Sequence, residues 1–296
     1  MVFTEFDTGM RDRLRQRLDQ LPSLPSAVTA LMQLDPGSDE YVDELLTVLE
    51  ADPNFAARVL SAANSSASAP AMPMTSLRDA VTRLGPRQAV SMVMAVGLTH
   101  MFVPRDPWER SLWLHGLQTA AGCRELASAC DGWGVDPGAA YTAGLVHDIG
   151  RFVLFQEAPD ELRRIDEGGW ASPDDLIREE RSVCGLAHTE IAAVACRQWG
   201  LPSSITMVAA LHHEREFPDK VPVEVVRLVR LVHFVDLALF PSALPGANEG
   251  RLDVRTIGQL LVPHLPDSVE MTAAELHDVA HRALESAEQA ATVIGL

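Results

Sequence analysis

The stretch Ala143–Arg151 reads AGLVHDIGR and places a histidine directly before an aspartate inside an apolar run. Consecutive residues near a helix end diverge by only about 100°, so His147 and Asp148 can direct an imidazole nitrogen and a carboxylate oxygen at one metal ion. Gly150 follows this pair, and we expect it to end a helix that covers residues 138–148. The pair alone is weak evidence, and its meaning depends on the other histidines and aspartates of the chain.

Further histidines and aspartates fall on apolar helical stripes on both sides of this stretch. His115 faces inward from a helix expected over residues 108–129, and Asp236 lies in the apolar stripe of a later helix. A buried carboxylate is costly unless it is paired or bound to a metal, whereas a single buried histidine is usually hydrogen-bonded to a backbone carbonyl. Nitrogen and oxygen ligands without a thiolate suit iron, manganese or zinc, and we predict one or two such ions. The predicted metal ligands are His115, His147, Asp148, His188, His212, His213 and Asp236.

Composition and charge exclude several classes of protein. The 296 residues include 41 Asp and Glu against 24 Lys and Arg, a formal net charge of −17, which repels nucleic acid and anionic membranes. The longest uncharged apolar run, residues 89–103, is too short to span a bilayer, and the amino terminus carries no export signal. Four cysteines without CxxC spacing are expected to be reduced thiols. We therefore expect a cytoplasmic protein with no nucleic-acid partner and no membrane partner.

Proline and capping residues divide the chain into helices. Asp52, Ser76 and Ser172 each stand where a side chain can cap a helix, and Thr272 with Glu275 opens the last one. The sequence shows no sustained period-two alternation and no Asn-Gly hairpin, which predicts an all-α fold. Three parts are expected: an amino-terminal helical half at 1–105, a second helical half at 106–240, and a linker at 241–250 with a helical extension to 296.

The motifs, taken as a set, resemble the HD superfamily of metal-dependent phosphohydrolases and most closely its HDOD branch. HDIG at 147–150 follows a helical histidine, His115, and precedes separate His, His-His and Asp helices. Segments such as LEADPNFAARVLSAANSS (49–66), EERSVCGLAHTEIAAVACRQWGLP (179–202) and ALHHE (210–214) stand in the order of HDOD blocks. The resemblance covers about residues 18–240. It implies an all-α domain with an HD-type carboxyl-terminal half, used in bacterial signal transduction and generally without established enzymatic activity.

Two departures from related HD-GYP phosphodiesterases bear on activity. The segment HHEREFPDKVP (212–222) lacks the Gly-Tyr-Pro element that follows the double histidine in those enzymes. Arg151 stands where they carry a lysine that contacts a substrate phosphate, and since arginine keeps the charge it is predicted to bind phosphate. Ser111 stands where three-metal forms carry a glutamate, so no third ion is expected.

Two functional hypotheses follow from the resemblance. In the first, which we favour, a stand-alone bacterial HDOD signalling protein acts without phosphohydrolase turnover. It binds a ligand, for example a nucleotide, or a signalling protein partner, and the bound state shifts the population of helix arrangements. In the second, a metal-dependent phosphodiesterase acts on a nucleotide or cyclic dinucleotide, with Asp148 bridging two ions and with Asp148 and Arg151 in the catalytic machinery. In that hypothesis His115, His147, Asp148 and Asp236 hold one ion, and His188, His212 and His213 hold the other.

Overall fold

A computed structural model describes residues 8–65, 74–170, 172–236 and 253–296. Within these ranges the chain forms helices and connecting turns and contains no β-strand, which confirms the all-α prediction. The predicted linker at residues 241–250 lies outside the described residues. The α-helices are, in chain order, α1 Thr8–Asp19, α2 Ser26–Leu31, α3 Tyr41–Glu50, α4 Pro53–Ala63, α5 Leu77–Leu84, α6 Pro86–Met101, α7 Pro107–Ala129, α8 Pro137–Val146, α9 Ile149–Glu157, α10 Pro159–Gly168, α11 Pro173–Cys184, α12 His188–Gln198, α13 Ser203–Leu211, α14 Val223–Phe234, α15 Val254–Leu260 and α16 Ala273–Ile294.

The chain divides into two compact units, each built from separate stretches of sequence. The larger unit comprises Met1–Pro22 and Arg105–Leu284, and the smaller unit comprises Ser23–Pro104 and Glu285–Leu296. The three-part division expected from the sequence, with boundaries at 105 and 240, stays a prediction. All the predicted metal ligands fall in the larger unit.

Local capping chemistry starts the helices of the smaller unit. The Asp52 side chain accepts a hydrogen bond from the backbone N–H of Asn54 and caps α4, and Pro53 occupies the first turn, where its missing N–H is harmless. Ser76 caps α5 in the same way, through the backbone N–H of Asp79. Both predicted caps are therefore confirmed. Helix α6 buries residues on every side, as a helix packed among others should.

Two helix pairs in the larger unit approach each other closely at a glycine. Helices α7 and α8 meet at Gly144, where an added Cβ would lie 2.8 Å from the Cα of Ala120. Helices α9 and α12 meet at Gly150, where an added Cβ would lie 1.9 Å from the backbone oxygen of His188. The glycines therefore permit backbone-to-backbone approach.

The prediction that Gly150 ends a helix is wrong. Helix α8 ends at Val146, and Gly150 is the second residue of α9, which begins at Ile149. His147 and Asp148 thus occupy the short connection between α8 and α9, not the end of a single helix. The glycine is required by the neighbouring helix α12, a long-range contact that the local pattern does not contain.

The remaining predicted helix starts are confirmed. Ser172 accepts a hydrogen bond from the backbone N–H of Asp175 and caps α11. Before α16, Thr272 and Glu275 cap each other's backbone N–H groups reciprocally, which is the capping-box arrangement. None of the helices in the described residues is long and apolar enough to cross a membrane.

Replacing Gly150 with alanine should lower the free energy of unfolding by about 3 kcal/mol or more, because the new methyl group meets backbone, which cannot rotate away. Urea unfolding followed by circular dichroism measures the change. Gly168→Ala is the matched control, since nothing lies within 4 Å of a Cβ added at that helical position. That variant should change stability by about 0.5 kcal/mol or less. Equal effects of the two substitutions would contradict the close-approach role of Gly150.

Candidate metal centre

The seven predicted metal ligands come together in one place in the larger unit, which we call the ligand cluster. They arrive from five parts of the fold: the middle of α7, the α8–α9 connection, the first residue of α12, the residues after α13 and the residues after α14. Most of these side chains are completely or nearly completely buried. Of the five histidines, His213 has the most exposed side chain, at 9%. The ligand cluster consists of His115, His147, Asp148, His188, His212, His213 and Asp236.

Three imidazoles are oriented by hydrogen bonds on the side away from the cluster. The Nδ1 atoms of His147 and His212 donate to backbone carbonyls three residues earlier, at 2.7 and 3.1 Å. Each of these histidines directly follows a helix, whose last turn leaves carbonyl groups without helical partners. The Nδ1 atom of His188 donates to the Glu180 carboxylate at 2.6 Å. With Nδ1 engaged, each ring presents Nε2 to the cluster, which is how metal-binding histidines are usually held.

Asp148 lies between two sets of imidazoles. Its Oδ1 atom is 3.4 Å from Nε2 of His188 and 3.5 Å from Nε2 of His212, while its Oδ2 atom is 3.6 Å from Nε2 of His147. The two oxygens of one carboxylate therefore face different nitrogen donors. This arrangement suits a carboxylate that bridges two cations or that closes a single site.

Asp236, which follows α14, faces three of the same histidines. Its Oδ1 atom lies 3.0 Å from Nε2 of His115 and 3.8 Å from Nε2 of His147, and its Oδ2 atom lies 3.9 Å from Nδ1 of His213. The sequence pattern placed Asp236 on an apolar stripe, and the structure buries it as that pattern indicates.

The donor atoms of the cluster fit a cation better than they fit one another. Among the described residues, several buried polar atoms without a hydrogen-bond partner belong to this cluster, including Nδ1 of His115, Nε2 of His147 and Oδ1 of Asp148. Unpaired buried polar atoms cost free energy, and a bound cation would satisfy them. The donors form overlapping groups whose atoms lie within 4.8 Å of one another, namely Asp148, His188, His212 and His213, then His115, His147 and Asp148, and then His147, His212 and Asp236.

The electrostatics of the cluster are those of ionised carboxylates among imidazoles. Burial alone would raise the pKa of Asp148 and of Asp236, but the facing imidazoles lower both pKa values well below the usual range. Burial alone would lower the pKa of His147, but these two carboxylates outweigh it and raise that pKa to about 9. Burial dominates at His212 and His213 and lowers their pKa values. In the absence of metal, His147 therefore holds a proton that a divalent cation would have to displace.

Arg151, which the sequence predicts as a phosphate-binding residue, is directed into the protein. It is 4% exposed, its guanidinium donates a hydrogen bond to the Asp166 carboxylate, and its Nε lies 3.7 Å from Oε1 of Glu180. Burial would lower its pKa, but the carboxylates of Asp166, Asp148 and Glu180 raise it. The phosphate-binding role of Arg151 stays a prediction, and the observed geometry gives it another task, that of balancing two buried acids.

Glu180 is a functional residue that the sequence analysis did not single out. It is fully buried, and its Oε2 atom accepts hydrogen bonds from both the backbone N–H and the Nδ1–H of His188, at 2.8 and 2.6 Å. Burial would lower the pKa of His188, but Glu180 raises it. A signal was present, because Glu180 lies between Leu176 and Cys184 on the buried stripe of α11. An acidic residue on an apolar helical stripe is the pattern that singled out Asp236, and Glu180 shows the same pattern.

The fold and the ligand cluster define an all-helical domain of the HD type. Residues 21–215 match the HDOD domain family, and the chain belongs to this family. A curated relative, an uncharacterized protein of Treponema pallidum (strain Nichols), is 22% identical over 241 residues, which cover 78% of this chain and 44% of the relative. The chain thus spans less than half the length of the curated relative that it matches.

Three solved structures share the fold. An HDOD domain protein of unknown function from Geobacter sulfurreducens is 21% identical, covers 97% of this chain and 99% of its own, and has a TM-score of 0.69. A candidate phosphohydrolase from Shewanella amazonensis SB2B is 21% identical, with 93% and 97% covered and a TM-score of 0.67. A candidate signal-transduction protein from Marinobacter aquaeolei VT8 is 24% identical, with 100% and 68% covered and a TM-score of 0.69.

Replacing Glu180 with alanine should lower the free energy of unfolding by about 3–5 kcal/mol, because it leaves the backbone N–H and the Nδ1–H of His188 without an acceptor in the core and takes one of two carboxylates away from Arg151. Urea unfolding measures the loss. Glu161→Ala is the control: it removes an acid that is 3.3 Å from Arg164 at the surface, and it should cost about 1 kcal/mol or less. A Glu180→Ala variant as stable as the control would show that the buried network contributes little.

Proposed function

We propose that this HDOD protein is a signal-transduction domain that holds one or two divalent cations in the ligand cluster and acts by binding a ligand or a protein partner. Iron, manganese and zinc are the candidate ions, because the donors are imidazole nitrogens and carboxylate oxygens without thiolates. The solved Marinobacter structure, described as that of a candidate signal-transduction protein, has the same fold and supports this role.

One observation carries the metal-binding part of the proposal. Imidazoles from four separate elements direct their Nε2 atoms at two buried carboxylates. Among the described residues, Nε2 of His147, Nδ1 of His115 and Oδ1 of Asp148 have no hydrogen-bond partner. A hydrogen-bonded relic of a metal site would be expected to pair such atoms with one another. Their common direction is the geometry that a cation requires.

The position of Arg151 favours binding over turnover. Cationic side chains aimed at the developing charge of the phosphate assist phosphoryl transfer, alongside any bound metal ions. By its resemblance to related enzymes, Arg151 stands at the position of a phosphate-contacting lysine, and here it is buried against Asp166 and Glu180. Turning it toward a substrate would leave both acids without their cation, at a cost of several kcal/mol.

Metal content per chain tests the proposal directly. Protein purified without a chelating column should carry iron, manganese or zinc at close to stoichiometric amounts by elemental analysis, and His147→Ala should lose most of it because that residue faces both carboxylates. His264→Ala is the matched control, since His264 is exposed and outside the cluster, and it should keep the metal of the wild type. A folded wild type without metal would refute the metal-binding role and would direct attention to the protein partner.

The second candidate function is a metal-dependent phosphohydrolase. The observation that favours it is the position of Asp148, whose oxygens face His188 and His212 on one side and His147 on the other, as two adjacent cations would require. The solved Shewanella structure described as a candidate phosphohydrolase shares the fold. Ions held there would supply Lewis-acid chemistry to a phosphate ester. The residues of this chain would hold the ions and, through Asp148, keep them together.

A hydrolysis assay separates the two candidates. Because Arg151 is withdrawn, we expect metal-loaded protein with added Mn²⁺ to release no p-nitrophenol from bis(p-nitrophenyl) phosphate above the rate of a buffer control. Rapid turnover by the wild type that His188→Ala abolishes and His264→Ala retains would instead establish the phosphohydrolase. The metal content of each sample is measured as well, to verify that the wild type carries metal in the assay.

A further inference from the structure

A pocket of about 380 Å³ opens beside the ligand cluster, within the larger unit. Residues of α11, α12 and α13 line it, together with His213. The His213 side chain is 9% exposed, whereas those of His147 and His188 are 0% exposed. The pocket therefore reaches the edge of the ligand cluster at His213.

We propose that this pocket, the Arg178 pocket, binds a phosphorylated small molecule of the size of a mononucleotide or a sugar phosphate, with its phosphate on Arg178 and Arg181. The inference rests on the proposed function, because His213 is both a predicted metal ligand and a residue of the pocket wall. It names the class of ligand that the signalling domain detects.

The two arginines are placed for this task in a way that Arg151 is not. Arg178 and Arg181 stand one turn apart on the face of α11 that lines the pocket, and their side chains are 67% and 53% exposed. Arg178 pairs with Asp175 on its own helix, and the Nε of Arg181 lies 3.1 Å from Glu190. Exposed pairs of this kind contribute little free energy, so both guanidinium groups can turn to a phosphate at low cost. Arginine also matches phosphate oxygens bidentately.

Acidic residues in the pocket wall restrict the part of the ligand that is not phosphate. Asp174 and Glu214 line the same pocket as the two arginines. Carboxylates accept hydrogen bonds and repel further anionic groups, so the ligand should present hydroxyl or amino groups to them. The net charge of −17 also disfavours polyanions. A single phosphate joined to a ribose or to a nucleoside satisfies both requirements.

The size of the pocket restricts the class further. Its volume of about 380 Å³ lies at the low end of the range for small-molecule sites, which runs from roughly 300 to 1,000 Å³. This volume is of the order of one nucleoside monophosphate or sugar phosphate, bound in a pocket that is open to solvent. A cyclic dinucleotide, which has two nucleosides and two phosphates, would extend beyond the pocket.

Isothermal titration calorimetry with AMP as the probe tests the proposal on the full chain with its metal content measured. We expect binding by the wild type, at least tenfold weaker binding by the Arg178→Ala/Arg181→Ala double variant, and at least tenfold weaker binding of adenosine, which lacks the phosphate. Ribose 5-phosphate tests the sugar-phosphate alternative on the same samples. Arg164→Ala is the matched control, because Arg164 is 69% exposed and pairs with Glu161 three residues away, yet does not line the pocket.

The outcomes distinguish this inference from the metal-binding proposal. Equal affinity of the wild type and the double variant for AMP would overturn the proposed role of the pocket. A wild type that binds neither AMP nor ribose 5-phosphate, with or without metal, would also overturn it. A wild type that contains no metal but binds AMP, with affinity lost in the double variant and kept in Arg164→Ala, would refute the metal centre and support the pocket.

Discussion

Two ionised carboxylates inside a helical core constrain everything around them. Asp148 and Asp236 are both buried, and removing such a charge from water costs several kcal/mol unless matching partners surround it. The larger unit supplies imidazoles from several elements as those partners, which hold the pKa values of both acids low. The need to compensate these charges therefore explains why helix ends that are far apart in sequence converge on one point.

The orientation of the imidazoles depends on where each stands in its helix. A histidine just after a helix finds a free carbonyl one turn back, as His147 and His212 do. His188 instead begins α12, where the backbone offers unpaired N–H groups and no free carbonyl, so Glu180 supplies the acceptor for both its ring and its backbone. That extra buried acid needs a cation of its own, and Arg151 provides it. Together with Asp166, which lies closer to the guanidinium, Glu180 holds Arg151 away from solvent.

The features that sequence could predict are those set by neighbouring residues. Caps such as Ser172 depend on a few adjacent positions in the sequence. A polar residue on an apolar helical stripe, such as Asp236, is predicted to be buried because its neighbours on the stripe are buried. The role of Gly150 and the direction of Arg151 could not be derived in this way. Gly150 is fixed by the backbone of His188, and Arg151 by Asp166 and Glu180, and all three partners are brought close only by the folded chain.

The wide spacing of the ligand cluster along the chain has a consequence for synthesis on the ribosome. The first donor, His115, emerges early, but the set is complete only when Asp236, after α14, has left the exit tunnel. Chains are synthesised from the amino terminus at roughly 5–20 residues per second, so several seconds or more separate the synthesis of His115 from that of Asp236. A nascent chain that has not yet released Asp236 can therefore present only part of the ligand cluster.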